Sequence, residues 1–173
     1  GEAFCGADHY RPDLIVTNFG DPFEILHPGL DIKHYPCCSG GLTAIDATLA
    51  LVNEHDLKPD DVEGIDCGVS YTTPLNMIHP VPKTGLEAMF SMGFCVCVAL
   101  VDRLVGVQQF TDEKVAEATI QDLMKKFNLY IRDDLKGVES SASNESTVTI
   151  RTHDGRTLSK TVERDKGSSD NPL

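Results

Sequence analysis

Lys33-His34-Tyr35-Pro36-Cys37-Cys38-Ser39-Gly40-Gly41 is the stretch on which the reading of this chain turns. Proline biases the residue before it away from helix, and two adjacent glycines let the backbone turn where other residues resist. Behind them Leu42, Ile45, Leu49 and Val52 recur at helical spacing, so the stretch reads as a sharp corner from an extended run into the first helix. The extended run is expected as a strand over 31–35. The helix is expected over 43–55, with Thr43 as a capping residue and Asp46 an acid three positions on, close to a capping box. A corner of this kind holds its side chains at the rim of a cleft, on a loop positioned by rigid elements. Lys33, His34 and the two cysteines are what it would present.

Working outward, Pro59 and its neighbours break the helix, and then Ile65, Cys67, Val69 and Tyr71 alternate with Asp66, Gly68 and Ser70 as in a half-buried strand. Three prolines, Pro74, Pro80 and Pro82, exclude a regular element over 72–83. A loop that long inside a compact domain is usually functional or disordered, and apolar Met77 and Ile78 argue against disorder. Thr84-Gly85-Leu86-Glu87 is a capping box that opens the most apolar helix, with Phe90, Phe94, Cys97, Val101 and Leu104 on one stripe read as core and Gly106 at its end. Thr111-Asp112-Glu113 starts another, whose face is Val115, Ile120, Leu123, Met124 and Phe127. A polar connection over 133–146 leads to a hairpin over 148–162. A three-residue loop, His153-Asp154-Gly155, pairs Ile150 with Leu158 and brings Val148 and Val162 onto the same face, whereas a two-residue loop would split Ile150 from Leu158. Residues 1–30 read as a short helix or irregular entry. The order predicts one α+β domain over 1–173, a four-stranded, mostly antiparallel sheet with helices on one side.

Composition narrows the function. With 173 residues and 40% hydrophobic content the chain can build one sizeable core. A net charge of −12 argues against a nucleic-acid or anionic-membrane partner, since both require clustered Lys and Arg. An anionic substrate would then need a local positive cluster, and Lys33, His34, His79 and Lys83 are where to look. No apolar run reaches the length of a membrane span. The six cysteines form neither a C-x-x-C pair nor a spaced pair of pairs, which argues against zinc or an iron–sulfur cluster and for a reducing compartment such as the cytoplasm. Neither a metal nor another cofactor is expected. Leading Gly1 and the polar end over 164–173 suggest a piece of a longer protein.

Several motifs occur in one order along nearly the whole chain. These are Lys33-His34-Tyr35-Pro36-Cys37-Cys38, Ala44-Ile45-Asp46-Ala47, Leu86-Glu87-Ala88-Met89-Phe90-Ser91 with Pro82 and Thr84 before it, Asp154-Gly155-Arg156 and Asn171-Pro172-Leu173. In order and spacing they resemble the MmgE/PrpD family, whose members include 2-methylcitrate dehydratase, cis-aconitate decarboxylase and iminodisuccinate epimerase. The resemblance implies the smaller, ferredoxin-like lid domain of a homodimeric parent, set into a larger helical domain. It also implies metal-independent chemistry on small di- and tricarboxylates, in the cytoplasm or a mitochondrial matrix. Lys33, as the lysine of the K-x-Y/F-P motif, would face the cleft between the two domains as the catalytic group. Residues of the proline-rich loop, Asn76, His79 and Lys83, would bind substrate with His34. Leu42 stands where a histidine is often found in the family.

The residues carry simpler readings too. His34, next to Lys33 on an extended segment, should point to the opposite face and serve structure. Cys37 and Cys38 are nucleophile candidates without an identifiable base, and buried inert thiols are the commoner case.

Overall fold

In the computed structural model, Ala3 and residues 12–17, 19–23, 25–26, 29–135 and 145–173 are described. Cys5, Glu24 and residues 136–144 of the expected polar connection lie outside the described residues. The chain divides into two units, Gly1–Ile32 and Lys33–Leu173. In the first, a short helix, α1 (Pro12–Val16), opens on a proline, whose missing N–H costs nothing at a first helical position.

The second unit is an α+β fold around a four-stranded sheet. Its elements are α2 (Leu42–His55), β1 (Val62–Val69), α3 (Thr73–Asn76), α4 (Gly85–Ala88), α5 (Met92–Asp102), α6 (Asp112–Val115), α7 (Ala118–Met124), β2 (Phe127–Ile131), β3 (Ser146–Thr152) and β4 (Thr157–Val162). The sheet order is β2-β1-β3-β4. β1 runs antiparallel to β3, and β3 to β4, while β1 and β2 are parallel. The sheet is therefore mixed, with two of its three pairings antiparallel. The parallel pair follows from the long helical connection between Val69 and Phe127, since only a crossover returns a chain to the same direction.

Helices α2 and α5 pack on each other, α2 lies against β3 and β4, and α7 and β2 lie against α5. Between these helices and the sheet, Ile45, Val52, Ile65, Phe94, Leu100, Ile120, Val148 and Ile150 are fully buried. The opposite face is polar. There Thr147 bonds Thr161 and Thr149 bonds Ser159 across β3 and β4, while Arg151 pairs with Asp66. The hairpin has the expected register: Ile150 pairs with Leu158, Thr152 N donates to Arg156 O, and Gly155 takes φ +86°.

The stretch 72–83, expected to hold no regular element, contains the short helix α3, and the helix expected from Thr111 is split into α6 and α7; three further local expectations are corrected. Residues 31–35 form no strand; the fourth strand is β2, at the edge. Phe127-Asn128-Leu129-Tyr130-Ile131 alternates with period two, yet Phe127 also sits three residues past Met124 and so extends the helical stripe equally well. The second correction is the cap of α2. Thr43 Oγ1 donates instead to Ser146 Oγ on β3, 2.9 Å away, and Asp46 accepts from Tyr35 and Lys166. The third is the apolar helix, which is broken in two. Ser91 Oγ accepts Phe94 N–H and starts α5 afresh, and Arg103 in the left-handed region (φ 54°) ends it before Gly106. Leu104 is exposed rather than core.

The candidate functional site

The corner that precedes α2 is anchored at one end by Tyr35. Its ring is buried and its hydroxyl donates to Asp46 Oδ1 at 2.5 Å, one turn into α2. Burial, with that hydrogen bond to a carboxylate, pushes the Tyr35 phenol far above its ordinary pKa and keeps it a donor. The second oxygen of Asp46 accepts the backbone N–H of Lys166 at 2.8 Å. One carboxylate thus ties the corner, α2 and the end of the chain together. That end is folded back on itself through a Ser168–Asn171 bridge.

At its other end the corner is stitched to the α4–α5 junction, where Cys38 N donates to Met89 O at 2.9 Å. Gly40 and Gly41 let the proline-rich loop close down here. A Cβ on Gly41 would come within 3.2 Å of Met77 Cε, and one on Gly40 within 3.4 Å of Thr73 Cγ2.

Between these two anchorages lies a pocket of about 370 Å³. Pro36, Cys37, Cys38 and Ser39 form one wall, and Met89 and Phe90 the other. Lys33 stands at it as the charged side chain among the lining residues. Its Nζ donates to Cys37 O at 3.0 Å, which leaves two of three ammonium donors for a ligand. The walls are otherwise apolar or weakly polar, so an anion entering would meet one cation and few competing acceptors.

The other expected binders are not brought to this pocket. His34 is exposed and lies edge-on to the Tyr35 ring, centroids 4.7 Å apart. Asn76 is exposed and its Nδ2 bonds Thr72 O. Lys83 is exposed, and its backbone N–H donates to Glu87 Oε2. His79 is half-buried, and its backbone N–H donates to Phe90 O at 3.1 Å, so the loop is fastened to the pocket wall without its imidazole lining it.

Phe90 and Met89 are what sequence reasoning missed. Phe90, taken for core, is 39% exposed in the turn between α4 and α5 and forms a wall of the pocket. The signal was Ser91-Met92-Gly93-Phe94, a second capping serine right behind it. Leu42, where the resemblance leads one to expect a histidine, is buried in the core as the first residue of α2.

Cys67 and Cys97 are sealed in the core, where burial alone raises both thiols, that of Cys67 to about 12. Among the described residues no group of three or more His, Cys, Asp and Glu is arranged to hold a metal ion. No described helix is long and apolar enough to cross a membrane.

No curated protein matches this chain. The family model for the MmgE/PrpD C-terminal domain matches residues 35–173, which takes in both pocket walls and the proline-rich loop and begins two residues after Lys33. With the α+β sheet and the corner at Tyr35–Gly41 inside the matched stretch, the chain belongs to the MmgE/PrpD family, through that family's C-terminal domain.

Proposed function

We propose that this domain is the lid of a metal-independent lyase or isomerase that acts on small di- or tricarboxylates, supplying Lys33 to a site whose other half lies elsewhere in the parent protein. The observation that carries the reading is Lys33 at an otherwise nearly uncharged pocket, with two ammonium donors free of the Cys37 carbonyl. Loss of a proton or of carbon dioxide beside a carboxylate builds negative charge on the carboxylate oxygens. An ammonium fixed where that charge develops stabilises the transition state more than the ground state. Lys33 binds the carboxylate and holds the developing charge, and the walls of Met89, Phe90 and Pro36 keep water from competing.

The proline-rich loop and α4 add support, because Leu75, Ile78, Val81 and Leu86 are large, apolar and exposed. Exposed apolar side chains gathered on one segment suit a surface that another domain covers. In this reading that domain is the parent's helical one, the parent is a homodimer, and the isolated chain is catalytically silent. The free thiols Cys37, Cys38, Cys67, Cys95 and Cys97 suit a reducing compartment, the cytoplasm or a mitochondrial matrix.

A second reading is a binding or assembly module that keeps the fold without chemistry. It is favoured by Leu42, whose buried side chain offers no acid or base. Turnover of 2-methylcitrate, cis-aconitate and iminodisuccinate by the full parent and its Lys33→Ala variant separates the two. The lid reading expects kcat/KM to fall by about 10²–10³, the usual effect of removing one transition-state donor. Unchanged turnover with intact folding overturns it, as does robust turnover by the isolated chain.

A further inference from the structure

We propose that Cys37 and Cys95 form a closable dithiol beneath the Lys33 pocket, a modification site at which a hydroperoxide converts the pair into an intramolecular disulfide. Cys37 lines the pocket and is 5% exposed, so a small oxidant in the pocket reaches it. Cys95 is fully buried in the first turn of α5, where its thiol donates to Ala88 O at 3.7 Å, while the Cys37 thiol donates to Cys38 O at 3.6 Å. The place where a Gly41 side chain would stand lies 3.8 Å from Cys37 Sγ and 4.0 Å from Cys95 Sγ, so the glycine leaves the space around the pair open. Both sulfurs are free, and neither belongs to the chemistry proposed for Lys33. Cys38, more exposed on the same wall, is next to Cys37 in sequence, and a ring closed between adjacent cysteines is strained.

The reaction runs in two displacements. Cys37 sulfur, as thiolate, attacks one peroxide oxygen; the S–O bond forms, the O–O bond breaks, and the departing hydroxide takes up a proton as water. Cys95 then gives up its proton and attacks the sulfenic sulfur; the S–S bond forms, the S–O bond breaks, and a second water leaves. Two electrons pass from the two sulfurs to the peroxide. The neighbouring Cys37 thiol, with burial, holds Cys95 protonated well above the ordinary cysteine range, so the second step quickens as pH rises. Because Lys33 rests on the Cys37 carbonyl, the bond shifts the residue that carries the pocket's cation.

The test treats the reduced, folded chain with hydrogen peroxide, blocks remaining thiols, and digests without reductant for tandem mass spectrometry. The expected product joins the peptides bearing Cys37 and Cys95, about 2 Da lighter than their sum. Cys38→Ser keeps the link. Cys95→Ala, shown folded by circular dichroism, abolishes it and leaves Cys37 as a sulfenic acid that dimedone traps. Recovery of Cys37 and Cys95 as free thiols at peroxide levels that oxidise Cys38 overturns the proposal, as does a Cys37–Cys38 link. Since the readout is covalent, its failure leaves the Lys33 reading untouched.

Discussion

At Gly85 the backbone passes so close to Phe110 that a Cβ would stand 2.2 Å from its carbonyl oxygen, and the Gly85 N–H is taken by Asp112 Oδ1 at 2.7 Å. Backbone, unlike the end of a flexible side chain, cannot step aside. Gly85→Ala should therefore destabilise the fold by about 1–3 kcal/mol, the usual range for overpacking, seen as a lower denaturant midpoint at unchanged slope. A neutral result would mean that α4 can lift off the 110–112 segment. The nearby cap was legible in sequence, because Thr84 and Glu87 act within one turn: Thr84 Oγ1 accepts Glu87 N–H, and Glu87 reaches back to Lys83 N–H, one residue earlier than a capping box requires. Thr43 and Asp46 have the same spacing and form no cap. Thr43 is drawn to Ser146, 103 positions away, and Asp46 to Lys166, 120 away, and such partners leave no trace in a local pattern. Lys33 was legible only through its motif, since nothing in its neighbours' periodicity sets it apart from a surface lysine.

The elements show where local signals compete. Met92 to Leu100 are all buried, so hydrophobicity marks α5 clearly, but it runs on through Phe90 and hides the break at Ser91. That break gives the pocket its second wall: an unbroken helix would carry Phe90 round into the core. Ser91 Oγ accepts Phe94 N–H at 3.3 Å and is fully buried, so Ser91→Ala should cost about 1 kcal/mol of stability, the typical loss for an N-cap, while Ser91→Thr should keep most of it. Thermal or urea unfolding of the two variants checks this, and equal loss from both would point to packing rather than capping. The hairpin was readable because a one-residue slip flips every side chain to the wrong face, leaving a single register that buries Val148 and Ile150 together. β2 was not, because five residues with one apolar face serve a strand and a helical continuation alike.

For the molecule as a whole, the groups held away from their ordinary protonation act in one direction at high pH. Tyr35, buried and bonded to Asp46, has its pKa raised; an unfolded tyrosine ionises near pH ~10, so above that the unfolded chain sheds a proton that the folded chain retains. The contribution is complete below that pH and is lost as pH rises beyond it. For Lys114, burial opposes the charge, but hydrogen bonds to Asp102 and Glu117 outweigh it and raise the pKa, so this stabilisation too is whole below about pH 10.4 and declines above. Each added negative charge also burdens a chain already at −12. Tyr35→Phe isolates one of these groups. At pH 7 it should be less stable by about 1 kcal/mol, because Asp46 loses a donor and keeps only the Lys166 N–H on its other oxygen. Above pH 10 the native chain should lose stability faster than the variant, by up to about 1.4 kcal/mol per pH unit for one retained proton. Urea midpoints measured from pH 7 to 11 should therefore converge and then cross. Parallel curves would mean that the Tyr35 phenol ionises as freely in the fold as in the open chain, and the corner that presents Lys33 would then be held by something other than its bond to α2.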